Sequence, residues 1–218
     1  MIRTILHFGF LFLFLQSIVG QDSLLVGKKY FEDQLYIGVT SNVLRFKPES
    51  LQQTGLSTGL QLGFIKDIPF SQKGNFGLGL GVGYSINKYK QNLVLPDFTL
   101  PDLLSTESNS YTVQTVEFPF MFRFRNSTEA IKPFFRLYVG TKLSYVFASS
   151  SKFIGVKTTP IPFLNQWQYG PQISIGYGNL NVYAYYGQTE FFQSVTATEA
   201  IGVDALKEFK VGLQFFIF

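Results

Sequence analysis

A two-residue alternation of bulky apolar residues with small or polar ones recurs in eight segments of the chain, and it constrains the fold more than any other feature. It is most regular in NFGLGLGVGYSIN, residues 75–87, where glycine alternates with bulky apolar residues. Successive side chains of a β-strand point to opposite faces, so each segment has one bulky apolar face and one small or polar face. Each segment has about the ten residues that a strand needs to cross a membrane. The pattern therefore predicts eight membrane-spanning strands.

The connections between these segments alternate in length, which indicates how the strands are arranged. Long connections follow the third, fifth and seventh segments, whereas the intervening links are short. The long connections are residues 89–110, 149–165 and 188–205, and the short links are residues 67–74, 126–132 and 178–179. Long loops at one end and short turns at the other are typical of outer-membrane barrels. We therefore predict an all-β, eight-stranded antiparallel transmembrane β-barrel of up-and-down order, with both termini on the short-turn, periplasmic side.

The chemistry of the two faces distinguishes a membrane barrel from a soluble one. A soluble lipocalin-like barrel buries its apolar face inside, whereas a membrane barrel turns that face to lipid. Here the bulky face carries almost no charge and is too large for the interior of eight strands. The small face is predicted to line a crowded lumen, where the alternating glycines of residues 77–83 leave room for large neighbours such as Tyr36 or Arg136. A glycine-rich β-sandwich is the alternative.

The N-terminus has the layout of a secretory signal peptide. Arg3 precedes an apolar run at residues 5–15, and small residues lead to Gly20. The run is short for a transmembrane helix, and a buried N-terminal strand is the alternative. We expect a signal peptide at residues 1–20, a short N-terminal segment at 21–33 and the barrel at 34–218. After removal of the signal peptide, the chain is expected in the cell outer membrane.

Composition argues against catalysis and against nucleic acid as a partner. The chain has no cysteine, and its one histidine, His7, lies in the expected signal peptide. A mature chain without histidine lacks the usual general base of barrel hydrolases, and Lys142 with Ser144 shows only the spacing that any polar lumen produces. The acids at residues 97–107 lack the spacing of calcium ligands, and no basic stripe is interleaved with aromatic residues. We expect a non-enzymatic protein without metal or cofactor.

Charged residues on the small face form the most specific constellation. Glu117 and Arg123 lie on the fourth segment, Arg136 and Lys142 on the fifth, and Lys210 on the last, all with inward parity. In a low-dielectric lumen, one acid among several bases is expected to be paired and hydrogen-bonded. Eight strands leave an interior only wide enough for side chains, which favours a plug of ion pairs. An ion path or a binding site is the alternative.

One hairpin carries a family resemblance. VEFPFMFRFRNSTEAIKPFFRLYVGTKLSYVF, residues 116–147, resembles the signature hairpin of the PorT-like outer-membrane β-barrel family of Bacteroidota. Glu117 and Pro119 match the hallmark positions, whereas Arg136 is less typical, and the likeness extends over residues 34–218. The resemblance implies an eight-stranded barrel. Some members of that family are components of the type IX secretion and gliding machinery, and others have no assigned role.

Two classes of function follow. The first is an accessory or structural subunit of a secretion or surface-assembly complex, which would contact outer-membrane lipid and other outer-membrane proteins. The second is a free-standing surface barrel for adhesion, ligand binding or small-solute passage. The loops at residues 93–104 and 153–164 are apolar and rich in proline, which favours docking, although they could instead fold over the barrel mouth as a lid. The candidate docking residues are Phe98, Leu100, Phe153, Ile161 and Phe163.

Overall fold

The computed structural model describes residues 33–49, 51–70, 75–93, 104–126, 135–154, 156–199 and 202–217. This part of the chain contains nine β-strands and one short helix. The strands are Gln34–Arg45 (β1), Thr58–Pro69 (β2), Phe76–Leu93 (β3), Leu104–Arg125 (β4), Phe135–Phe153 (β5), Val156–Thr158 (β6), Trp167–Tyr177 (β7), Leu180–Glu190 (β8) and Lys207–Ile217 (β9). The helix, α1, is Thr196–Glu199. The expected signal peptide at 1–20 lies outside the described residues.

Eight of these strands close into a barrel. Every pairing is antiparallel, and strands that follow each other along the barrel pair with each other. The first and last strands, β1 and β9, pair over eleven residue positions and close the sheet. The short strand β6 pairs only with β5 among the described residues, so it is an appendage of the barrel wall. The predicted eight-stranded, up-and-down antiparallel barrel is confirmed.

The outer wall of the barrel is apolar, as expected for a membrane barrel. Val39, Phe122 and Leu213 are each at least half exposed, whereas a lipocalin-like barrel would bury such side chains. Aromatic pairs lie near both ends of this wall: Tyr145 with Trp167 towards the long loops, and Phe70 with Phe76 at the short turns, with ring centroids 4.9 and 5.8 Å apart. Aromatic girdles of this kind flank the lipid-facing band of outer-membrane barrels. Within the described residues, no helix is long and apolar enough to cross a membrane.

The glycines of the inner face make room for large side chains. A Cβ atom on Gly63 would lie 2.6 Å from Cε1 of Tyr36, and one on Gly79 would lie 2.7 Å from Cδ of Arg123. The predicted role of the glycines at residues 77–83 in accommodating Tyr36 is confirmed at Gly83, where a Cβ atom would meet the hydroxyl of Tyr36. The large side chain against Gly79 is Arg123 rather than the predicted Arg136, because β3 pairs with β4, which carries Arg123, and not with β5.

Three strands continue well beyond the predicted segment ends. β3, β4 and β5 have 18, 22 and 19 residues, so much of the predicted loops at 89–110 and 149–165 is strand. The physical reason is that the polarity of the two faces reverses above the membrane. There Tyr89 and Tyr111 point inwards and are buried, whereas Lys88 and Thr112 point outwards. The alternation that places apolar residues on the outside therefore ends before the strands end.

The closed barrel predicts tight integration into the membrane. We expect the protein to remain in the membrane pellet after carbonate washing. We also expect it to migrate faster on gels when unheated than when boiled, because a closed sheet with all its backbone hydrogen bonds formed stays folded in detergent. The boiled sample is the control. Release of the protein by carbonate, or equal migration before and after boiling, would contradict the interpretation that the protein is an integral membrane barrel.

Candidate functional site

The lumen of the barrel is filled by side chains at three levels along its axis. We define the arginine layer, near the short turns, as Asp67, Arg123, Arg125 and Arg136. The central pair is Glu117 with Lys142. Nearest the long loops is an apolar plug of buried residues, Leu44, Leu51, Tyr89, Leu93, Tyr111, Val113, Val146, Ile161, Leu164, Phe191, Phe192, Val203 and Leu206.

The arginine layer is organised around one aspartate. Oδ1 of Asp67 lies 2.7 Å from Nη1 of Arg123, and Oδ2 lies 2.8 Å from Nη2 of Arg125. All three side chains are 2% exposed. A carboxylate that contacts two guanidinium groups offsets part of the cost of burying them. Asp67 therefore fixes two inward-facing positions of β4 to the end of β2.

Aromatic rings complete the arginine layer. The guanidinium carbon of Arg123 lies 4.9 Å from the ring centroid of Tyr138, whose hydroxyl also accepts a hydrogen bond of 3.3 Å from Nη2 of Arg123. Arg136 lies 5.9 Å from the ring centroid of Phe216, measured from its Cζ atom. Ring faces attract cations, and this attraction increases when water is excluded. The layer thus combines ion pairs with cation–π contacts.

The central pair lies in the same lumen but is separate from the arginine layer. Nζ of Lys142 donates a hydrogen bond of 2.9 Å to Oε1 of Glu117 and another of 3.0 Å to the hydroxyl of Tyr183. The same ammonium lies 4.5 Å from the ring centroid of Tyr185. Nearby on β9, Lys210 pairs with Glu208 at 3.1 Å. Each buried acid of the central region therefore has a lysine within ion-pair distance.

A chain of hydrogen bonds leads from the central pair towards the long loops. The hydroxyl of Ser85 donates to Oε1 of Glu117 at 2.9 Å and accepts from the amide of Asn87. The amide of Asn42 donates to Asn87, and the hydroxyl of Thr40 donates to Asn42. These bonds satisfy polar groups that would otherwise be costly to bury. This series of hydrogen bonds fixes side chains of β1, β3 and β4 relative to one another across the lumen.

The apolar plug closes the lumen at the long-loop end. Phe191 and Phe192 pack edge to face with ring centroids 5.0 Å apart, and Phe191 also contacts Tyr89 at 5.1 Å. The side-chain amide of Asn165 donates to the carbonyl oxygens of Glu190 and Phe192, which holds the two loop segments together. The plug is therefore a small hydrophobic core built from strand ends and loops.

The four charges predicted to form one network are all buried in the lumen, but they lie in two groups. Of the bases considered for Glu117, Lys142 is its ion-pair partner, whereas Arg123 pairs with Asp67 and Arg136 contacts Phe216. Sequence reasoning missed Asp67 because it assigned that residue to a short link. The signal was present, since Ile65 and Asp67 continue the inward parity of β2.

The predicted docking residues occupy different environments. Phe98 and Leu100 lie outside the described residues. Ile161 is 4% exposed and belongs to the apolar plug, so it is not available to a partner while the plug is closed. Phe153 and Phe163 are half-buried.

Other apolar residues at the long-loop end are open to solvent. Ile154 and Val156 are 67% and 69% exposed at the turn between β5 and β6, and Leu56 is 71% exposed before β2. The sequence pattern did not single out Ile154 and Val156, because a turn with a three-residue strand gives no periodic signal.

The geometry favours a filled lumen over a binding site or an ion path. Among the described residues, no cluster of histidine, cysteine, aspartate or glutamate could hold a metal ion. A cavity of about 800 Å³ is present, but it lies on the outer wall beside Leu35, Leu62 and Val82, where lipid would cover it. The lumen itself holds ion pairs, tyrosines and the apolar plug.

Residues 16–215 match the family described as outer membrane protein beta-barrel domain. This match includes all of the described barrel strands except the last two residues of β9. No curated protein shows significant similarity to the chain.

We predict that Asp67→Asn lowers the stability of the folded barrel by about 3–5 kcal/mol, because it removes the buried carboxylate that two arginines contact. Asp33→Asn is the matched control: Asp33 pairs with Lys66 at 2.6 Å, but both side chains are substantially exposed, and such pairs contribute about 0–1 kcal/mol. The measurement is a melting midpoint: samples in detergent are heated to increasing temperatures before electrophoresis, and the midpoint is the temperature at which half of the folded, faster-migrating band is lost. Equal midpoints for Asp67→Asn and Asp33→Asn would contradict the role of Asp67.

We also predict that Glu117→Gln lowers the melting midpoint, since it leaves the ammonium of Lys142 buried without its counter-charge. Glu190→Gln is the control, because Glu190 is 47% exposed and lies 3.8 Å from Lys207. An unchanged midpoint for Glu117→Gln, together with loss of activity in cells, would favour an ion site over a structural plug.

Proposed function

The chain belongs to the outer membrane protein beta-barrel domain family, and on that premise we propose that it is a non-enzymatic accessory or structural subunit of a protein secretion or surface-assembly complex. The observation that carries this proposal is the filled lumen. A barrel whose interior is occupied by ion pairs and closed by an apolar plug acts through its surface rather than through a pore.

The resemblance of residues 116–147 to the PorT-like hairpin supports a complex of the type IX kind. Within this hairpin, Glu117 points inwards and pairs with Lys142, and Pro119 is also buried. These two positions stabilise the barrel, so they identify the scaffold and leave the contact surface elsewhere. The proposed complex therefore depends on residues outside the hallmark positions.

Exposed apolar residues at the turn between β5 and β6 support docking at the long-loop end. We call Ile154 and Val156 the apolar tip. Both side chains are more than two-thirds exposed, and their position lies beyond the lipid-facing band, because β5 carries the polar outward residues Ser150 and Lys152 below them. Among the described residues, β6 pairs on one edge only, and an open edge can accept a strand from a partner. The apolar tip is therefore the favoured contact.

We predict that the double substitution Ile154→Ser and Val156→Ser weakens co-purification of the partner complex in mild detergent, because a few apolar anchors carry most of the energy of an interface. Folding, heat-modifiability and abundance should remain near normal, since neither side chain is buried in the barrel. Leu56→Ser is the matched control, an equally exposed apolar residue on a different connection of the same end. Unchanged co-purification of the double variant would contradict docking through the apolar tip.

A further inference from the structure

A row of outward-facing residues crosses four strands above the lipid-facing band and contains three lysines. Lys90 of β3 is paired with Ser110 of β4, Ser110 with Lys152 of β5, and Lys152 with Lys157 of β6. Residues directly opposite each other on neighbouring strands share one face. We call these four residues the lysine row.

The lysine row lacks a compensating acid among the side chains that the structure describes, a set that does not include those of residues 94–108. Lys152 and Lys157 are exposed and directly opposite each other, an arrangement that destabilises a sheet unless an anion is bound. A second cationic row, on the far side of the barrel, differs because it contains an acid. There Arg45 is paired with Lys207, and Lys207 with Glu190, whose carboxylate lies 3.8 Å from the lysine ammonium.

The height of the lysine row above the lipid-facing band determines which part of a lipid can reach it. The aromatic residues Tyr84 and Tyr145 lie in one row with Val116, and the lysine row is three rows further along the same strands. One row is two residues, or about 7 Å along a strand, and a tilt of about 45° makes this about 5 Å across the membrane. Phe147, which is exposed and whose ring centroid lies 6.1 Å from that of Tyr84, extends the aromatic girdle by about one row, so the lysine row lies about 10 Å beyond the girdle.

Phospholipid headgroups extend only about 5–7 Å from the hydrocarbon. The phosphorylated sugars of a large glycolipid head extend further and reach this level. In the layout of outer-membrane barrels, the long loops face outwards, so the row stands in the outer leaflet.

We propose that the lysine row binds phosphate groups on the sugar head of an outer-leaflet glycolipid of the lipopolysaccharide type. Each ammonium group would donate charge-assisted hydrogen bonds to phosphate oxygens. The bound phosphates would remove the repulsion between Lys152 and Lys157. The site is on the outer wall below the apolar tip, and it is independent of the proposed docking function.

The test compares the purified full-length protein in detergent with the variant Lys90→Gln, Lys152→Gln, Lys157→Gln. The probe is lipopolysaccharide with intact phosphates, and the measurement is its dissociation constant. We expect the triple variant to bind at least about tenfold more weakly, since each lysine near an anionic surface contributes several-fold to affinity. Wild-type protein should bind dephosphorylated lipopolysaccharide as weakly as the triple variant binds the intact form.

The matched control is Arg45→Gln, Lys47→Gln, Lys207→Gln, which removes three cations from the same end of the barrel. It should weaken binding clearly less than the lysine-row variant does, because Glu190 already pairs with Lys207 and offsets part of this charge. Equal weakening in both triple variants would overturn the site, as would equally tight binding of wild type to phosphatidylglycerol vesicles. A lower melting midpoint of the lysine variant without any lipid would also overturn it, because the lysines would then pair with acids of the chain itself. If the triple variant fails to fold, the single variant Lys157→Gln in the same titration decides the question.

Discussion

The closure of the strand ladder in lipid is the constraint on which the rest of the structure depends. A strand edge in hydrocarbon would leave backbone N–H and C=O groups unpaired at a cost of several kcal/mol each. Pairing of β1 with β9 and of β4 with β5 removes the edges of the sheet. With only eight strands, the closed lumen is just wide enough for side chains. Every inward position must then be filled, either by a large side chain or by a glycine that makes room for one.

Filling this lumen with charges requires that the charges be paired. Asp67 contacts two arginines, and Lys142 contacts Glu117, so the lumen joins non-neighbouring parts of the chain through ion pairs. Above them, the apolar plug adds a core like that of a soluble protein, with apolar side chains inside and polar ones outside. The barrel thus has a lipid-facing lower part and a water-facing upper part, and the two contact surfaces that we propose both lie on the upper part.

The lower part could be predicted from the sequence, and the upper part largely could not. Lipid imposes a strict apolar-out alternation, so the strands and the inward parity of Glu117, Arg123, Arg136 and Lys142 follow from the sequence. Ion-pair partners depend on cross-strand register, which set Arg123 beside Asp67 rather than Glu117. The burial of Ile161 depends on loop packing, which has no period, and so its place in the plug was not predictable.

The central claim is that the lumen is closed, and single-channel recording of the purified wild-type protein in planar bilayers tests it most directly. Protein whose insertion is verified by heat-modifiability should give a flat baseline across the voltage range, because ion pairs and the apolar plug occupy the path of any ion. Reproducible conductance steps of defined size would contradict the account and would favour a free-standing barrel for small-solute passage.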